Sequence, residues 1–105
     1  MLLSPIAFHI LLSLADADRH GIAVMEDVLQ RTNGAMRLWP AMLYRNLHKL
    51  VAEGLIEEVS APTPMAGSPR FFHITAAGKR ACTAEARRLE AFVQAARDKR
   101  LLKKS

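Results

Sequence analysis

The chain has 105 residues, 50% of them hydrophobic, and carries 15 Lys and Arg against 10 Asp and Glu, a formal net charge of +5. This length holds one domain with a small core, and this composition excludes a disordered chain. The single cysteine, Cys82, excludes an internal disulfide and fits a reducing, cytoplasmic setting.

Met1 to Ala15 is apolar but lacks the positive lead of a secretion signal, and Pro5 and His9 interrupt it. No run approaches the roughly 20 apolar residues that span a bilayer, so no membrane partner is expected. Ser4-Pro5 instead opens a helix, with Ser4 as cap and Pro5 in the first turn. Ile6, Ile10, Leu11 and Leu14 form its apolar stripe, with Phe8 to one side. Asp16-Ala17-Asp18 breaks it, and His20-Gly21 turns into a second helix. There Ile22, Met25, Val28 and Leu29 face inward, and Glu26, Asp27, Gln30 and Arg31 face water. Asn33-Gly34 stops that helix, both residues tolerating positive φ. Ala35 to Leu38 is too short for a helix and reads as a short strand.

A third helix follows from Pro40, suited to a first helical position, to Gly54, suited to a C-terminal cap. Leu43, Leu47 and Leu50 share one face, with Tyr44 and Val51 at its edge. At 100° per residue, Arg45 and Lys49 point the other way, with Met42 and His48 beside them. Then Leu55 to Val59 reads as a strand, Ser60 to Pro69 as a loop, and Arg70 to Ile74 as a second strand. Thr75 caps a last helix from Ala76 to about Lys99, whose apolar positions Cys82, Ala86, Leu89, Val93 and Ala96 step by four and three, with Phe92 alongside. The spacing thus predicts helices over 5–15, 21–32 and 40–53 and a hairpin loop at 61–69. The fold is mainly α with a small β-hairpin: a winged helix-turn-helix plus a long C-terminal helix. Residues 1–75 form the winged unit. Residues 76–105 form a dimerisation helix with a basic tail.

Charge adds a partner class. Residues 1–60 carry five Lys and Arg against seven Asp and Glu, a net −2; residues 61–105 carry ten against three, a net +7. A basic half favours polyanions, most simply nucleic acid, and the winged helix-turn-helix makes double-stranded DNA the expected partner.

The chain resembles PadR-type transcriptional regulators over nearly its whole length. The matching residues are Ser4-Pro5, Ile10-Leu11-Leu12-Ser13-Leu14, His20-Gly21, Leu43-Tyr44-Arg45-Asn46-Leu47, Leu50, Glu53-Gly54-Leu55-Ile56, Arg70 with Phe72, and Ile74-Thr75-Ala76-Ala77-Gly78. The resemblance implies a dimeric winged-helix repressor that binds a palindromic operator and whose long last helix builds the dimer. In short relatives of this type the dimer interface can hold a flat hydrophobic effector, for which Phe92 and Phe8 are the candidate stacking residues. Three positions depart from the family pattern. Ile22 replaces an aromatic after His-Gly, Trp39 replaces a small hydroxyl residue before the proline, and Met42 replaces Thr before Leu-Tyr. The wing loop is also short of charge, with only Arg70 at its far base.

Each singled-out residue has a plainer alternative. Tyr44 reads first as a packed helix aromatic and second as a DNA contact. Arg45 and Lys49 read as base and phosphate contacts rather than idle charges, with Asn46, Met42 and His48 in support and Arg70 on a flanking phosphate. Trp39 reads as a half-buried plug beside the short strand. Leu89, Phe92, Val93 and Ala96 read as dimer core, meeting Ile6 and Ile10 of the mate's first helix. Cys82 reads as inert packing and His20 as a helix-start residue. The four histidines and Cys82 show no metal-ligand spacing, and neither a phosphate-cradling glycine loop nor a nucleophile elbow occurs. No enzyme, cofactor or metal is therefore expected. The competing reading is a winged helix that docks on an acidic protein without binding DNA.

Overall fold

The computed structural model of the protein describes residues 2–103; Met1 and the last two residues of the expected basic tail, 104 and 105, lie outside the described residues. The elements run α1 (Pro5–Leu14), β1 (Arg19–His20), α2 (Gly21–Arg31), α3 (Pro40–Ala52), β2 (Ile56–Val59), β3 (Phe71–Ile74) and α4 (Ala76–Asp98). Three helix starts are capped by side chains that accept otherwise orphaned N–H groups. Ser4 Oγ accepts from the Ala7 amide at 3.1 Å, His20 Nδ1 from Ala23 at 3.2 Å, and Thr75 Oγ1 from Gly78 at 3.0 Å. His20 is thus a helix-start residue. At the other end of α3, Gly54 takes φ 75°, and the Leu55 amide donates back to the Leu50 carbonyl at 3.0 Å. That left-handed stop is open to glycine at little cost, and it turns the chain directly into β2.

Helix α1 lies at the centre of the molecule, touching α2, α3, α4 and β3. Ile10, Leu11 and Leu14 meet Val24 and Val28 of α2, Leu43, Leu47 and Leu50 of α3, and Ile56, Phe72 and Ile74 of the sheet in one core. Burying each such side chain contributes about 1.5–3 kcal/mol relative to leaving it in water. Ile10 is 0% exposed within the protomer. It was expected at the dimer interface, but α1 is wrapped on several sides, so this residue has no surface left to offer a mate.

The sheet has three antiparallel strands in the order β1-β3-β2. Ile56 pairs with Ile74 and Val59 with Phe71 across the hairpin, while Arg19 pairs with Phe72 and His20 with Phe71 on the other edge. The short strand expected at Ala35–Leu38 does not form. There the Met36 amide is taken by Thr32 Oγ1 at 3.0 Å, and Leu38, 1% exposed, plugs the core. The third strand is Arg19–His20 instead, two residues placed beside β3, with the His20 ring edge-on to Phe71 at 5.4 Å. A short turn closes the wing tip, the Ser68 amide donating to the Met65 carbonyl at 3.0 Å and the Met65 amide to Ser68 Oγ at 2.9 Å.

The start of α4 is bolted to the end of α3. The Thr75 amide donates to the Leu55 carbonyl at 3.1 Å, and the Thr75 hydroxyl to the Gly54 carbonyl at 2.7 Å. Gly78 rests on the same Leu55 carbonyl, so closely that any Cβ there would overlap the oxygen. Beyond this joint α4 runs for 23 residues and gives the protein a long dimension of 55 Å.

Arg31, expected to face water, ties α2 to α1. Its guanidinium donates to the His9 carbonyl at 3.0 Å, faces His9 Nδ1 at 3.3 Å and pairs with Asp27 at 2.9 Å. Burial, and then the Arg31 charge, hold the His9 pKa below its usual 6.5. The folded state therefore binds fewer protons than the unfolded chain, so His9 favours folding at neutral pH and loses that contribution as pH falls through and below 6.5. His9→Gln is expected to flatten the fall in melting temperature between about pH 7.5 and about pH 5.5, measured by circular dichroism.

Candidate nucleic-acid interface

Helix α3 turns Leu43, Leu47 and Leu50 into the core and leaves Tyr44, Arg45, His48 and Lys49 exposed. The 3.6-residue period places Arg45 and Lys49 one turn apart on the outward face. None of the ion pairs among the described residues involves either of them. A helix with its back buried and two unneutralised cations on its front suits insertion beside phosphates and base edges.

Not every residue expected on that front stands there. Met42 is half-buried and packs against the core, because its position on α3 leans toward the domain rather than toward solvent. Asn46 is also half-buried. Its amide donates to the Met42 carbonyl at 2.8 Å and borders a cavity of about 300 Å³ between the N-terminal segment, α3 and α4. Tyr44 is exposed, yet its phenol lies over the start of α2: a Cβ on Gly21 would stand 2.8 Å from its hydroxyl. Gly21 and Tyr44 thus form a packing contact between α2 and α3. Arg70, 73% exposed at the base of the wing, stands 4.0 Å from Glu58 of β2.

Trp39 is not a half-buried plug. It is 60% exposed, with the Arg37 guanidinium 5.5 Å from its ring centroid. Its indole has no acceptor with which to cap a helix, and no side chain caps α3. Arg37 carried no expectation from the sequence. The signal that could have marked it is the alternation in Arg37-Leu38-Trp39, an apolar anchor between two outward residues.

Residues 10–84 match the sequence profile of the family described as "Transcriptional regulator PadR-like family". The chain belongs to the PadR-like family. It is accordingly a DNA-binding transcriptional regulator and not an enzyme. Solved structures agree on the fold. A PadR family transcription regulator from Clostridium difficile R20291 superposes with a TM-score of 0.75 at 17% identity, over 90% of this chain and 97% of that one. A transcriptional regulator from Clostridium thermocellum gives 0.75 at 16% identity, over 88% and 89%. RosR of H. salinarum gives 0.65 at 21% identity, over 95% and 96%. No curated protein matches the sequence.

The far half of α4 in this PadR-like protein is largely uncovered. Phe92 is 59% and Val93 38% exposed, Leu89 and Ala96 are half-buried, and Leu101 and Leu102 beyond the helix are exposed. Glu85 is buried one turn earlier and grips Arg88 through two hydrogen bonds of 2.8 and 2.5 Å. These bonds hold the Glu85 carboxyl below its ordinary pKa, outweighing the effect of burial. Arg88, so oriented, lies 5.2 Å from the Phe92 ring centroid. The sequence carried this pair as an acid three residues before a base, a signal lost among the many charges of α4. Phe8 is half-buried against the core. Two cavities lie elsewhere, one at Leu2, Leu3, Ala7 and Leu50 and the other at Leu12, Ile74, Cys82 and Ala86, and neither is lined by Phe8 or Phe92. Among the described residues no cluster could hold a metal ion, and no helix is long and apolar enough to cross a membrane.

Proposed function

We propose that this PadR-like regulator is a cytoplasmic repressor that binds a palindromic operator as a homodimer and is released by a flat hydrophobic effector. Residues 1–75 read the DNA and residues 76–105 join the protomers. The observation that carries the reading is the front of α3, where Arg45 and Lys49 stand exposed one turn apart, with no ion pair among the described residues. Arg45 forks two donors onto guanine acceptors in the major groove. Lys49 anchors the backbone as a point charge, His48 and Tyr44 support it, and Arg70 holds a flanking phosphate once drawn from Glu58. Two-fold symmetry sets two copies of α3 about one DNA turn apart. The effector sits between protomers, where Phe92 of each α4 is free to stack.

Binding of duplex DNA, followed by anisotropy at several salt concentrations, tests the reading. Affinity falls log-linearly as salt rises if phosphates are neutralised. Arg45→Ala is expected to cost about 1–3 kcal/mol at the operator and much less on random DNA. Lys49→Ala and Arg70→Ala weaken both alike and lower the salt slope by about one each. Folding changes little in all three, since exposed charges contribute little to stability. A triple alanine variant that stays folded and binds at full strength removes α3 from the DNA surface and favours docking on a protein instead.

A further inference from the structure

We infer that Trp39 and Arg37 form a second, sequence-independent DNA contact, a flat clamp on the sugar-phosphate backbone beside the groove that α3 enters. The inference rests on the DNA-binding reading above and adds to it a contact outside the cationic face of α3.

The residue that leads into α3, Trp39, is extended, with φ −77° and ψ 151°. In extended chain alternate side chains point to opposite sides. Leu38 points inward and is 1% exposed, so it anchors the segment in the core. Arg37 and Trp39 on either side of it therefore project outward together. Pro40, with its φ fixed by the ring, follows immediately as the first residue of α3. The indole thus stands on a backbone held at both ends rather than on a free loop.

Three properties then point to a nucleotide. An exposed tryptophan leaves a large apolar ring in water, a burden that binding surfaces relieve. The guanidinium at 5.5 Å from its centroid keeps a full positive charge at that ring, and Arg37 makes no ion pair among the described residues. A deoxyribose with its phosphate offers the complement, an apolar face beside an anion, with an acceptor for the indole N–H. The pair is also continuous with the proposed interface, standing at the mouth of the helix whose front carries Arg45 and Lys49.

Trp39 is the only tryptophan in the chain, so its emission reports this contact alone. The full-length protein is titrated with an end-labelled random-sequence duplex of roughly 30 base pairs, about three helical turns, at low salt. Label anisotropy and tryptophan emission are read in the same cuvette. Emission is expected to be quenched along the anisotropy curve and restored by salt. Trp39→Ala weakens binding about tenfold, equivalent to about 1.4 kcal/mol. Trp39→Phe, which keeps a flat ring, restores most of it. Arg37→Ala weakens binding and lowers the salt slope by about one. Melting curves confirm that the variants fold. Saturation of the DNA with unchanged emission, or full-strength binding by folded Trp39→Ala, overturns the inference while leaving DNA binding intact. Absence of any anisotropy change overturns the DNA-binding reading itself, and this inference with it.

Discussion

Gly78→Ala is expected to destabilise the protein by about 3 kcal/mol or more, at the upper end of what overpacking costs. The first added atom meets the carbonyl oxygen of Leu55 and then the Ile74 side chain. A side chain can rotate away from such a clash, but a backbone carbonyl held by its own hydrogen bond from Thr75 cannot. Relief requires α4 to lift from the α3–β2 turn, which strains the Thr75 bonds to Leu55 and Gly54 as well. Against a typical stability of about 5–15 kcal/mol, this is a large fraction. Urea unfolding of the variant reads it directly as a lower midpoint. Lys79→Ala, one residue on and exposed, is the control and is expected to fall within about 0.5 kcal/mol of the parent. Equal midpoints for Gly78→Ala and the parent would show that the joint is not tight.

Leu89→Asp is expected to convert the proposed dimer to a monomer. Leu89 is half-buried in the protomer and lies on the same stretch of α4 as Phe92 and Val93, whose exposure leaves a long apolar face for a mate. Facing α4 helices would desolvate it fully, and an unpaired carboxylate placed there costs several kcal/mol, enough to undo a modest interface. Light scattering at micromolar concentration gives the mass. Operator affinity should fall with it, because two half-sites are no longer held by one molecule. A parent protein that is already monomeric at that concentration contradicts the assembly, whatever the variant does.

The helices were legible because each is announced at its ends. Ser4-Pro5, His20-Gly21, Pro40 with Gly54, and Thr75 mark boundaries that stand within a residue or so of those observed. The apolar period then identified the buried faces of α1 and α3. Periodicity failed where an element was too short to have one. Arg19–His20 is a strand only because β3 lies beside it, and Leu38 is buried only because the core leaves room for it. A different limit applies to Ile10. A helical stripe says which side of α1 is apolar, but not whether its own protomer already covers that side. On the candidate site, Arg45 and Lys49 stand where their spacing put them, whereas Met42, at the margin of both faces, went inward. Trp39 was misjudged for a further reason. It was placed beside a short strand that does not form, and its neighbours decide its direction, since Leu38 takes the inward place and Pro40 follows as the first residue of α3.

The joint between α3 and α4 also has a mechanical side. A hinge would let the last helix swing without disturbing the rest of the molecule. Here the last carbonyls after α3 are the hydrogen-bond acceptors of the residue that starts α4, and a glycine sits flush against one of them. These contacts couple the start of α4 to the end of α3. Helix α4 is about 34 Å long, from 23 residues at 1.5 Å each. A displacement of about 3 Å at its tip corresponds to a tilt of only about 5° at α3 over such an arm. Were the joint rigid, geometry at the far end of α4 would reach the helix that carries Arg45 and Lys49 as a small change of angle, reduced in scale.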